Sequence, residues 1–149
     1  MRLWRISNHK SLAGEGGLRT PGRWHSRGQR IVYCASSPAA ALLEVLVHLE
    51  VDLQGLPVRY RLFTIEAPAD LRVETVPAGR LPPDWPSRMD TTRAIGDDWL
   101  ADGSAPLLRV PSAIVPETVN ILLNPAHPAA NRVVIVGDGQ HAIDPRLLT

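Results

Sequence analysis

Short apolar runs punctuated by Gly and Pro dominate this chain, and helical spacing appears in only two places. Arg2 to Ile6 reads as a first strand. The connection after it, L-A-G-E-G-G-L-R-T-P-G, is too rich in Gly and Pro for helix or strand. Gln29 to Ala35 carries β-branched and aromatic residues at its centre, as a strand does. Ser36 or Ser37 then supplies an N-cap, Pro38 suits a first helical turn, and the helix is expected to run to about Glu50. Val58 to Ile65 begins with a period of two and then turns apolar, which predicts another strand, and Leu71 to Val76 predicts a shorter one. Residues 77–90 carry four prolines and are expected to form an ordered loop or a lid. Thr91 to Leu100 predicts a second helix, stopped by Gly103. Pro106 to Val110, Val119 to Leu123 and Arg132 to Val136 complete the strands, and Gly137-Asp138-Gly139 is a turn signal. No repeat and no linker divides residues 1–149, so a single α+β domain is expected.

The first helix carries the most telling residue. At 3.6 residues per turn, Ala39, Leu42, Leu43, Leu46 and Leu49 share one face, which is expected to pack on the sheet. Glu44 falls roughly a hundred degrees away, beside Ala40, Ala41, Val47 and His48. A carboxylate over small alanines is partly desolvated and keeps its charge only where a cation or a hydroxyl meets it. Two readings follow: Glu44 serves a ligand, or it faces solvent or pairs with His48 at i+4.

Composition narrows the field. Sixteen basic against fifteen acidic residues leave a net charge of +1, with no electrostatic case for bulk nucleic-acid or membrane binding. Cys34 is the single cysteine, so no internal disulfide forms. The start, M-R-L-W-R-I-S-N-H-K, lacks a signal-peptide core, and no segment approaches the ~20 apolar residues of a membrane span; a cytoplasmic location is expected. There is no G-x-x-x-x-G-K-[ST] loop, and Gly14, Gly16 and Gly17 do not form G-x-G-x-x-G. His9, His25, His48, His127 and His141 lack zinc-site spacing.

Five further positions carry chemistry. Arg23, after Gly22 at the end of the Gly-rich loop, suits a phosphate or pyrophosphate, or is simply solvated. Tyr33, in mid-strand, either stacks on a planar ligand or fills the core. Ser112, Asn120 and Asn124 are polar groups in an apolar, Pro-punctuated run, where they make turn bonds or hold ribose hydroxyls.

Taken in order, L-W-R-I, G-E-G, G-R-W-H-S-R-G, V-Y-C-A-S-S-P-A-A-A-L-L-E-V-L-V-H, V-P-S, N-I-L-L-N-P-A-H-P and D-P-R-L resemble the RES-domain toxins over nearly the whole chain. These bacterial toxins are paired with Xre-type antitoxins. The resemblance implies an ADP-ribosyltransferase-like fold of the diphtheria-toxin type, with a split β-sheet core and flanking helices. It implies cleavage of the nicotinamide–ribose bond of NAD+, by hydrolysis or phosphorolysis, with NAD+ as substrate and no cofactor or metal. Carried over by motif, the family's Arg falls on Arg23, its Tyr on Tyr33, its Glu on Glu44 and its Ser on Ser112, with Arg5, Trp24 and Asn124 as further NAD+ contacts. Glu44 would stabilise the oxocarbenium-like ribose, Arg23 clamp the pyrophosphate, Tyr33 stack near the nicotinamide and Ser112 donate to a ligand oxygen. A homodimer that binds an antitoxin and does not itself touch DNA is implied as well. Pro21, His25 and Ile121 depart from the family pattern, as does the end of the chain, where no aromatic precedes Asp144. Two alternatives stand beside NAD+ degradation: mono-ADP-ribosylation of a protein, and an inactive module that only binds the antitoxin.

Overall fold

Seven strands form one sheet in the order β4-β5-β6-β2-β1-β3-β7 in the computed structural model, which describes residues 1–48 and 59–148. The strands are β1 Arg2–Ile6, β2 Val32–Ala35, β3 Arg59–Glu66, β4 Val73–Thr75, β5 Leu107–Pro111, β6 Val119–Leu123 and β7 Val134–Ala142. All neighbours are antiparallel except β4 and β5. The helices are a short α1 Gly16–Arg19, α2 Pro38–Leu46 and α3 Met89–Asp102.

The sheet nearly comes apart at its centre. β1 pairs with β2 through one residue pair, Trp4 with Ala35, whereas β2–β6 and β1–β3 have ladders of four and five pairs. The result is two half-sheets, β4-β5-β6-β2 and β1-β3-β7, joined by a single ladder pair, which is the split core expected. One face packs Leu3, Cys34, Phe63, Ile65, Ile121 and Leu123 under Leu12, Ala129 and Ala130. The opposite face is covered by two helices. α3 and its flanks press Ile95 and Trp99 with Trp24 onto Leu108, Val110 and Leu122. α2 lays Ala40 and Ala41 on Ala35, with Trp4, Ile6 and Leu62 around them.

Local chemistry sets the helix ends. Ser37 Oγ accepts the Ala40 N–H at 3.0 Å, with Pro38 in the first turn of α2. Gly103 closes α3 at φ 65°, a left-handed cap suited to glycine. α3 begins two residues earlier and ends two later than expected.

Three expectations are corrected. α2 turns Ala40 and Ala41 to the sheet, while Ala39 and Leu43 are exposed. Small side chains let the helix sit close to strands already filled by Trp4. The expected continuation through Leu49 and Glu50 lies outside the described residues. The Gly-rich connection contains α1. Gly137-Asp138-Gly139 lies inside β7, paired with Thr64, Phe63 and Leu62, because Asp138 is held across the ladder by Arg61 at 2.7 and 2.8 Å. The proline-rich stretch forms 3₁₀ turns at Ala78–Arg80 and Trp85–Ser87 and then opens α3.

Candidate active site

A cleft of about 650 Å³ opens where the half-sheets part, between α2 on one side and the 20–24 loop with α3 on the other. Its size is that of a small-molecule site. Trp4, Ala35 and Asn120 form one cross-sheet row, because Ala35 pairs with Trp4 on one side and Asn120 on the other; with Tyr33 they make the floor. Ala41, Glu44 and Val45 of α2, with His48 just after it, form one wall, Thr20 to Trp24 and Met89 the other, and Pro111, Ala113 and Ile114 a rim. The cleft also reaches Arg5 and Cys34, which alternate to the opposite face, because β1 and β2 separate there.

Glu44 is half-buried and turns to Ser112 and Asn120 rather than to His48. Its Oε1 accepts from Ser112 Oγ at 2.8 Å and from Asn120 Nδ2 at 2.8 Å. Ser112 is itself fixed: its Oγ accepts the Ile114 and Val115 N–H groups at 3.1 and 3.3 Å, so its one proton goes to Glu44. Both partners of Oε1 are donors. Oε2 accepts neither bond and remains for a ligand.

Across the cleft, the Arg23 loop is held from three directions. Tyr33 Oη accepts the Trp24 N–H at 3.1 Å and lies 2.7 Å from His25 Nδ1. Nδ1 also accepts the Gly22 N–H at 3.2 Å, and Nε2 lies 3.0 Å from Thr20 O. These contacts assign the proton to Nε2, so Tyr33 donates to Nδ1. Burial pushes the Tyr33 phenol well up and the His25 imidazole down, keeping both neutral. Gly22 must be glycine here, since a Cβ would lie 2.4 Å from Tyr33 Oη.

α3 holds the same loop from above. Thr92 Oγ1 donates to Arg23 O at 2.6 Å, Arg93 Nε to Gly22 O at 2.8 Å, and Asp97 accepts Ser26 N–H and O–H at 2.9 and 2.6 Å. Gly96 lets the two backbones touch: a Cβ there would lie 1.6 Å from Trp24 O. Finally, Arg23 Nη1 donates to Pro86 O at 2.8 Å and the guanidinium lies 5.8 Å from the Trp85 ring, so the proline-rich stretch aims it.

Arg23, Tyr33, Glu44, Ser112, Arg5 and Trp24 thus gather at or beside one cleft, though not all in the expected manner. Trp24 is 2% exposed and is mainly a core residue. Arg5 Nη1 donates to Tyr33 O at 3.0 Å, bridging the gap where β1 leaves β2. Burial lowers the Arg5 pKa and lifts the Cys34 thiol to about 12, which disfavours the thiolate. Asn124 is not among the cleft residues: it lies just beyond the other end of β6, where its Oδ1 accepts the Ala126 N–H at 3.1 Å. The strand residue that faces the cleft is Asn120. Thr92, Arg93, Gly96 and Asp97 escaped sequence reasoning, although an isolated Gly inside a helical pattern signals close packing. No cluster of three or more His, Cys, Asp or Glu that would hold a metal occurs among the described residues.

The mixed α+β architecture with its split sheet is the one expected. A chain of the M. tuberculosis MbcT–MbcA toxin–antitoxin complex superposes with a TM-score of 0.74 at 20% identity, covering 95% of this chain and 84% of that one. The family model for the RES domain matches residues 2–144, and the chain belongs to that family. A protein of Pseudomonas putida named Toxin Res is 50% identical, over 91% of this chain and 92% of its own. A Sphingobium protein named Prs ADP-ribosylating toxin is 38% identical over 98% and 96%, and a Yersinia enterocolitica Toxin Res is 38% identical over 99% of both.

Proposed function

We propose that this protein is the toxin of a toxin–antitoxin pair, that it cleaves the nicotinamide–ribose bond of NAD+, and that an Xre-type antitoxin neutralises it. The observation that carries the reading is Glu44, a carboxyl group in a nucleotide-sized cleft with one oxygen tied down by two donors and the other left out of both bonds. The RES toxin relatives and the fold of the toxin–antitoxin chain support it.

The chemistry fits the groups present. Nicotinamide leaves as a neutral base, so the positive charge passes to the ribose as an oxocarbenium-like centre. A fixed carboxylate beside that centre stabilises it more than it stabilises the ground state. Arg23 faces the same cleft as a cation for the pyrophosphate. With water as acceptor the products are ADP-ribose, nicotinamide and a proton; with inorganic phosphate they are ADP-ribose 1″-phosphate and nicotinamide. Transfer to a protein is the second reading, favoured by the Sphingobium relative's name.

The test is NAD+ loss by purified protein, followed by chromatography with and without phosphate, beside Glu44→Gln. The expected result is loss in the parent and a fall of at least about a hundredfold in the variant. Equal activity in both would refute the role of Glu44. Radiolabel from NAD+ on a protein would favour the second reading.

A further inference from the structure

We propose that Asn120 is a positioning residue for Glu44: it holds Oε1, together with Ser112, so that a charged Oε2 alone faces the ligand. The proposal rests on the reading of Glu44 as the group that meets the ribose.

Asn120 lies second in β6, between Ala35 of β2 and Val110 of β5, with both strands hydrogen-bonded to its own. Its backbone therefore has little room to move. The Nδ2 bond to Glu44 spans 76 positions of sequence, so α2 meets the sheet polar-to-polar at this point. The opposite end of the amide shows what that costs. Asn120 Oδ1 is buried and has no hydrogen-bond partner among the described residues. An apolar residue of similar size would spare the fold an unsatisfied acceptor. Turning the amide over would set Oδ1 against the carboxylate, acceptor to acceptor, so the cost is met only in the orientation that serves Glu44.

The geometry also explains why Ser112 is not enough. A single donor leaves a carboxylate free to swing about it, whereas two donors on the same oxygen, one from the loop after β5 and one from β6, fix its direction. Preorganisation of this kind acts on the reaction step, where charge develops, more than on ground-state binding.

The experiment uses the full chain and two variants, Asn120→Asp and Asn120→Ala, each in the parent and in the Glu44→Gln background. Asn120→Asp keeps the size and replaces the donor with an acceptor; Asn120→Ala removes the amide without adding charge. Two readouts are taken: kcat and KM for NAD+ loss, and the urea midpoint without NAD+. The expected result is a fall in kcat on the order of a hundredfold for Asn120→Asp, with KM changed less than about threefold. The midpoint penalty of Asn120→Asp is expected to shrink by about half or more in the Glu44→Gln background, since it arises against the charged carboxylate. Equal penalties in both backgrounds would overturn the proposal whatever NAD+ does. A coupled penalty with unchanged kcat would overturn the positioning of Glu44 for chemistry. If the parent consumes no NAD+, the reading of the substrate fails by itself, and the urea cycle still decides whether Asn120 fixes Glu44.

Discussion

Replacing Gly96 by Ala sets local and tertiary physics against each other. In the interior of a helix, Gly→Ala normally gains about 1 kcal/mol, because the unfolded chain loses freedom and helix propensity improves. Here the added Cβ would stand 1.6 Å from Trp24 O, 2.7 Å from Trp24 C and 3.2 Å from Trp24 Cβ. Bringing the first contact out to 3.0 Å moves the loop or the helix by about 1.4 Å. Neither is free to go. The Trp24 ring is 2% exposed between Ile95, Trp99 and Leu108, and the adjacent carbonyl of Arg23 is bonded to Thr92 at 2.6 Å. Overpacking of this kind costs about 1–3 kcal/mol, and a weakened Thr92 bond adds about 1 kcal/mol. Against the propensity gain, a net loss of about 1–3 kcal/mol is expected, a drop in Tm of roughly 3–10 °C for a chain of this size. Thermal unfolding by circular dichroism, with urea unfolding beside it, reads the sign directly. A more stable Gly96→Ala variant would refute the packing argument. NAD+ turnover is expected to fall with stability, since Arg23 rides on the displaced loop.

Two further perturbations probe the same loop. Tyr33→Phe removes the acceptor of the Trp24 N–H and the donor to His25, and is expected to cost about 1–3 kcal/mol; an unchanged urea midpoint would show that the phenol is idle. For His25, burial is the main cause of its lowered pKa, so between the folded value and the unfolded value of about 6.5 the unfolded chain binds more protons. Its contribution is fully present above about pH 6.5 and is lost as pH falls through the lowered folded value. Urea unfolding from pH 7.5 to 5 is expected to show a shallower loss for His25→Asn than for the parent; identical slopes would remove His25 as the cause.

Much of the fold was legible because it depends on near neighbours. The Ser37 and Pro38 start of α2, the Gly103 stop of α3 and the strand Val119–Leu123 follow from capping, left-handed backbone and β-branched runs. Glu44 was legible as an anomaly, since a carboxylate over alanines needs a partner. Which partner was not. Ser112 and Asn120 reach it across 68 and 76 residues, and no local pattern encodes so distant a meeting.

Tertiary structure decided the remainder. Asn120 and Asn124 are alike in type and setting, and only the pairing with Ala35 and Val110 puts the first in the cleft. α2 is apolar almost all round, so its period cannot say which face meets the sheet; the bulk of Trp4 and the need for close approach choose the alanines. Gly137-Asp138-Gly139 has turn composition, yet the Arg61 fork across the ladder draws it into β7. Sequence by itself determined most of the strands, the start of α2, the stop of α3 and the residue types available for chemistry, because those rest on interactions within a few positions. Register, helix rotation and the contact of Gly96 with Trp24 belong to the tertiary structure alone, because each depends on distant segments competing for the same space.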